Sequence, residues 1–180
     1  FTLNRNNVTV TGFYRRNLFL GVSPVSEFNK KNELLKSINK FPTSPTIVYV
    51  TLQKTAINIS EFLKSHKVNS RPYHSGMENE EREMIQNSFM ESKLDCVVAT
   101  IAFGMGIDKK NVRRIIHYDF PKSIENYSQE IGRSGRDGEK SYCEVLANRD
   151  HLNTLENFIY GDTPEENSIF QFLSIIQNNN

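Results

Sequence analysis

The sequence predicts an α/β fold, a mostly parallel sheet with helices on both faces, and three observations carry that prediction. Short apolar, β-branched runs at 46–50, 94–99 and 112–118 read as interior strands. The runs at 46–50 and 68–73 are each followed by a short polar loop and then by apolar residues at helical spacing, which is the rhythm of βα units with right-handed crossovers. Finally, 180 residues with 37% hydrophobic content are enough for one substantial core.

Taken in order, residues 1–16 are mostly polar and read as a lead-in, 17–148 as the domain, and 149–180 as a helical extension. Leu18-Phe-Leu-Gly-Val22, closed by Ser23-Pro24, suits a strand entering the domain. Residues 27–40 place Phe28, Leu34, Leu35 and Ile38 at helical spacing, with the lysines on a solvated face. Pro42 and Pro45 punctuate a turn before the strand at 46–50. Ala56, Ile59, Phe62 and Leu63 then mark a helix to 66, and strand 68–73 leads through His74-Ser-Gly-Met77 into a helix over 80–92. Glu78, Glu80, Glu81 and Glu83 complement the positive end of that helix and are not read as a metal site. After the strand at 112–118, Asp119-Phe-Pro121 feeds a helix over 123–131, capped by Ser123. Strand 141–146, a helix over 149–160 and a final helix opening at Thr163-Pro-Glu-Glu166 complete the series.

Charge and cysteine content exclude several function classes. With 22 Lys+Arg against 21 Asp+Glu, any nucleic-acid contact depends on local placement and not on a strongly basic surface. No apolar run approaches the roughly 20 residues of a bilayer span, so an intracellular chain without a membrane partner is expected. Cys96 and Cys143 sit in strand-like runs and read as buried reduced thiols. Two thiols and four histidines without ligand spacing cannot close a four-ligand zinc site, so no metal is expected. The chain begins at Phe1 and not at Met, which reads as a piece of something longer.

The chemistry-bearing stretch is 119–138. Gln129, Arg133 and Arg136 follow one another at i, i+4 and i+7, so a helical path continued through Gly132 would send all three side chains from one side. Glycines cost about 1 kcal/mol each inside a helix, so their presence points to close approach. A guanidinium stays charged and offers a planar fork of donors that matches phosphate oxygens. The alternative is a solvated helix end before an Asp137-Gly138 turn. In Thr100-Ile-Ala-Phe-Gly-Met-Gly-Ile-Asp108 the glycines permit close backbone approach, but a dinucleotide fingerprint fails because its third glycine would fall on Lys109. Thr51 lies at the C-terminal end of a strand, where ligands gather in such folds, or is simply a helix N-cap.

These stretches resemble motifs V and VI of superfamily 2 helicases, and specifically those of the RecQ family of DNA helicases, over about residues 40 to 147. Phe13-Tyr-Arg-Arg-Asn-Leu18 resembles the opening of the second, C-terminal RecA-like domain in that family. The resemblance implies a RecA-like fold and assigns roles to individual residues. Arg136 would be the arginine finger, with Arg133 and Gln129 beside it; Gly106 and Asp108 would lie at the nucleotide, Asp108 near the ribose. Thr51, Ser75, Gly76 and Thr100 would grip single-stranded DNA, and His74 would position its loop, with a catalytic base as the less favoured role. Asp108 is otherwise a turn residue. Many RecQ enzymes carry a zinc module after this domain; here residues 151–177 hold no cysteine, so the module either starts later or is lacking.

No G-x-x-x-x-G-K-[ST] and no Asp-Glu-x-His occurs in the chain, so this is a P-loop NTPase-like fold without the P-loop. The resemblance therefore implies that ATP and Mg2+ are held mainly by a first motor domain acting in cis, that the DNA partner is a single strand or a duplex junction, and that the chain alone is inactive. The alternatives are a non-catalytic nucleic-acid-binding or scaffold domain, and an RNA helicase of the same superfamily.

Overall fold

The computed structural model describes residues 15–41, 44–104 and 107–148. Residues 1–14 of the lead-in, Gly106 and the helices expected after 148 lie outside the described residues. The elements run β1 (Leu18–Pro24), α1 (Glu27–Asn39), β2 (Thr46–Tyr49), α2 (Gln53–Ser65), β3 (Ser70–Tyr73), α3 (Asn79–Met90), β4 (Cys96–Ala99), β5 (Arg114–His117), α4 (Ile124–Ile131) and β6 (Ser141–Ala147).

The six strands form one sheet in the order β1-β6-β5-β2-β4-β3, and every pairing is parallel. Strands β2, β4 and β5 are buried throughout, β2 and β4 as largely apolar runs under helices on both faces and β5 with Arg114 bonded to Ser37 and Glu144 and His117 to Glu130. One face packs Val48, Val98, Ile116 and Leu146 against Leu34 and Ile38 of α1 and Ala56, Ile59 and Leu63 of α2. The other packs Ile47, Tyr49, Val97, Ile115 and Cys143 against Ile85 and Phe89 of α3, Phe103, Ile107 and Val112, and Ile131 of α4. Phe103, fully buried, meets Tyr73 and Phe89 edge-on at centroid distances of 4.7 and 5.7 Å. Each such pair adds about 0.5–1.5 kcal/mol beyond burial, which anchors the loop after β4. Both cysteines are free and buried, and burial pushes the Cys96 thiol up.

Three expectations need correction. Lys30 is not on the solvated face of α1; it is completely buried. Its spacing of four residues before Leu34 puts it on the apolar stripe, and the cation is drawn in by Asp119 at 3.1 Å. Thr51 is not the cap of α2, since Leu52 holds that position without any side-chain bond. The helical path also does not run on through Gly132. Helix α4 ends at Ile131, Arg133 and Ser134 donate backwards to Glu130 and Ile131 in a tightening last turn, and Gly135 at φ 56° turns the chain away. Gln129, Arg133 and Arg136 thus do not leave from one side of one helix. Ser123 does cap α4, accepting from the Asn126 N–H.

Candidate nucleotide and nucleic-acid site

All strands being parallel, their C-terminal ends share one rim, and the loops after β5, β2, β4 and β3 follow one another along it. Thr51 follows β2, Ser75 and Gly76 follow β3, and Thr100 follows β4. The Thr100 N–H donates to the Tyr73 carbonyl at 3.1 Å, and Gln53 Nε2 donates to Ser75 Oγ at 3.2 Å, which ties these loops together. Ser75 and Gly76 are exposed, Thr51 is half-buried and Thr100 is buried. His74 is buried behind the loop, with no hydrogen-bond partner at Nδ1 among the described residues.

The rim is held from beneath by residues whose role the sequence did not reveal. The Thr51 N–H donates to Asp119 Oδ2 at 2.9 Å, while Asp119 Oδ1 takes the buried Lys30 ammonium. That ammonium also lies 4.2 Å from the centre of the Tyr118 ring. Burial pulls the Lys30 pKa below its ordinary value, against the opposing pull of Asp119 and Glu27. Two residues earlier, His117 Nε2 lies 2.7 Å from Glu130 Oε2, and the imidazole stacks on Tyr49 and meets the Tyr127 ring at a tilt. This pins α4 to the end of β5. An apolar strand followed by Asp before a proline is the only sequence signal for either pair, and it reads as a strand end.

The two arginines lie elsewhere, against the loop after β4. Arg133 donates to the Gly104 carbonyl, and a Cβ at Gly104 would overlap its guanidinium and displace that side chain. Tyr49 Oη donates to the Phe103 carbonyl at 3.2 Å, and burial raises its pKa well above the ordinary phenol value. Arg136 Nη1 bonds Asp108 Oδ1 at 2.8 Å and the Ile107 carbonyl at 3.3 Å. Asp108 is 73% exposed and Arg136 35% exposed, so a carboxylate and a guanidinium fork sit side by side facing solvent. That donor set suits a sugar hydroxyl and a phosphate. The structure therefore joins Arg136 to Asp108 and Arg133 to the same loop, while Gln129, exposed on α4, joins neither. Among the described residues no group of three or more His, Cys, Asp or Glu could hold a metal ion. None of the described helices is long and apolar enough to cross a membrane.

Next to Arg136, Asp137 forms a two-pronged bond with Arg113, which holds its carboxyl below the usual carboxylate range. A depressed folded pKa means that this contribution to stability is complete above the unfolded value and is lost as pH falls through the folded one. An NMR titration should therefore find the Asp137 midpoint low, returning to the ordinary range in Arg113→Ala.

The family model described as helicase conserved C-terminal domain matches residues 29–138. A putative ATP-dependent RNA helicase, R290, of Acanthamoeba polyphaga mimivirus is 46% identical over 146 residues, covering 81% of this chain and 26% of that protein. The ATP-dependent DNA helicase RecQ of Bacillus subtilis is 40% identical over 144 residues, covering 80% and 24%. The chain thus spans about a quarter of the length of these relatives. In fold it matches a chain in the crystal structure of E. coli DEAD-box protein SrmB bound to regulator of ribonuclease activity A. There the TM-score is 0.65 at 22% identity, covering 77% of this chain and 84% of that one, and the fold is RecA-like.

Proposed function

We propose, since this chain belongs to the helicase conserved C-terminal domain family, that it serves as the second motor domain of a RecQ-type, ATP-dependent DNA helicase. The observation that carries this reading is the exposed Arg136–Asp108 pair, a phosphate-matching fork and a ribose-matching carboxylate on one surface. ATP and magnesium are held by the other motor domain in cis, and this chain closes over them. On closure Arg136 exchanges Asp108 for the terminal phosphates, where its charge offsets what builds up in phosphoryl transfer. Asp108, released, accepts from the ribose, with Gly106 beside the nucleotide. Arg133 and Gln129 flank the transferred group. Along the rim, Thr51, Ser75, Gly76 and Thr100 hold the phosphates of a single strand at a duplex junction, and opening and closing of the cleft steps that strand. The work is done inside the cell. An RNA strand is the second reading, favoured by the identity to a relative named as a putative RNA helicase.

The test is ATP hydrolysis by the full-length protein that carries this chain, with single-stranded DNA and with RNA of equal length, and by the chain alone. Stimulation by DNA with a silent isolated chain supports the proposal. Stimulation by RNA only moves it to the second reading, and no stimulated hydrolysis by a folded full-length protein overturns both.

A further inference from the structure

The loop that carries Arg136 is held by side chains from the other end of the domain. Arg15 Nη2 donates to the carbonyls of Ser134 at 2.9 Å and Gly135 at 2.6 Å. Asn17 Nδ2 donates to the same Gly135 carbonyl at 2.8 Å and to that of Glu139 at 2.9 Å. Arg136 lies between the carbonyls so clamped. The backbone reinforces the grip, because the Ser141 N–H donates to the Asn17 carbonyl and the Gly135 N–H to that of Val112. Gly135 is required here: it sits at φ 56°, and a Cβ would come within 2.5 Å of Asn17 Nδ2 and 2.6 Å of Ser141 Oγ. Within the loop the Gly138 N–H donates to the Gly135 carbonyl at 3.0 Å and the Glu139 N–H to Asp137 Oδ1 at 3.1 Å, while Arg113 holds Asp137; Arg15 and Asn17 add donors to the carbonyls from outside. A backbone turn made of glycines has many conformations to lose, and donors spread over three of its carbonyls select one of them.

We propose that Arg15 and Asn17 are positioning residues for the arginine finger, fixing the 134–139 loop so that Arg136 leaves it in one direction. This deepens the proposed function and rests on it. Neither side chain touches the nucleotide; both act through the backbone on either side of Arg136.

The test uses the full-length protein with Arg15→Ala, Arg15→Lys and Asn17→Ala, each alone and combined with Arg136→Ala. Turnover is measured per folded molecule, alongside ATP KM and strand affinity. A misplaced catalytic group can cost up to about 100-fold in rate, so Arg15→Ala is expected to lower kcat by about 10- to 100-fold with KM and strand affinity nearly unchanged. Arg15→Lys, which keeps one donor to a carbonyl, should fall between. Added to Arg136→Ala, the same changes should cost nothing further, because there is no finger left to aim. A role in stability alone predicts fewer folded molecules and normal kcat in those that remain; that outcome, or a per-molecule loss that multiplies with that of Arg136→Ala, overturns the inference and leaves the helicase reading standing. Absence of strand-stimulated hydrolysis in the wild type overturns both.

Discussion

Replacing Arg136 with alanine in the full-length protein is expected to reduce strand-stimulated ATP turnover by about 1,000-fold while leaving ATP binding largely intact, as loss of an arginine finger does. The physical reason is where the guanidinium counts. In this structure it is satisfied by Asp108 and the Ile107 carbonyl, so it contributes little to stability, as a half-exposed ion pair should. In the proposed role its effect arises only when charge accumulates on the transferred group, so the loss is expected to fall on kcat. Lysine is a poor substitute, because a point charge cannot reproduce the planar fork. Measuring nucleotide affinity and turnover on the same preparation decides the matter. If turnover is unchanged, Arg136 takes no part in the chemistry; if affinity falls as far as turnover, it is a binding residue.

Asp119→Ala is expected to destabilise the domain by about 3–5 kcal/mol, the cost of removing one partner from a buried ion pair. Lys30 is wholly buried and Asp119 nearly so, and the carboxylate also receives the Thr51 N–H. Removing it strips Asp119's charge from the Lys30 ammonium and deprives a backbone donor of its acceptor. The double change Lys30→Met with Asp119→Asn should recover most of the loss, since apolar replacement of a buried charge is often neutral and asparagine keeps an acceptor for Thr51. Urea unfolding of the chain followed by circular dichroism is the measurement. A loss below about 1 kcal/mol would match a surface pair instead and contradict the burial.

The βα rhythm was legible because burial on both faces favours short, mostly apolar, β-branched runs, and 46–50, 94–99 and 112–118 are rich in such residues. The cap at Ser123 was legible for an equally local reason, a hydroxyl one residue before the helix. Lys30 was misread because a lysine at an apolar helical position looks solvated until its partner, 89 residues away, is brought to it. Asp119, His117 and Glu130 escaped notice for the same reason: each is explained by a contact that is distant in sequence, and each has an ordinary local reading as a strand end or a helix surface. The expected single row of Gln129, Arg133 and Arg136 failed at Gly132–Gly135, where spacing alone cannot say whether a helix goes on. What ends it is the set of contacts that Arg15, Asn17 and Val112 make with the Gly135 backbone, all from elsewhere in the chain.

The sequence by itself therefore determined the class of fold, the order of the described elements and the residue types present at the candidate site, because propensity, periodicity and hydrogen-bonding capacity are local properties. Only the tertiary structure decided which strands are neighbours, that Arg136 rests on Asp108 while Arg133 rests on Gly104, and that buried charges at Lys30 and Asp119 brace Thr51. Those outcomes depend on which distant groups can satisfy one another once water is excluded, and that is settled by packing.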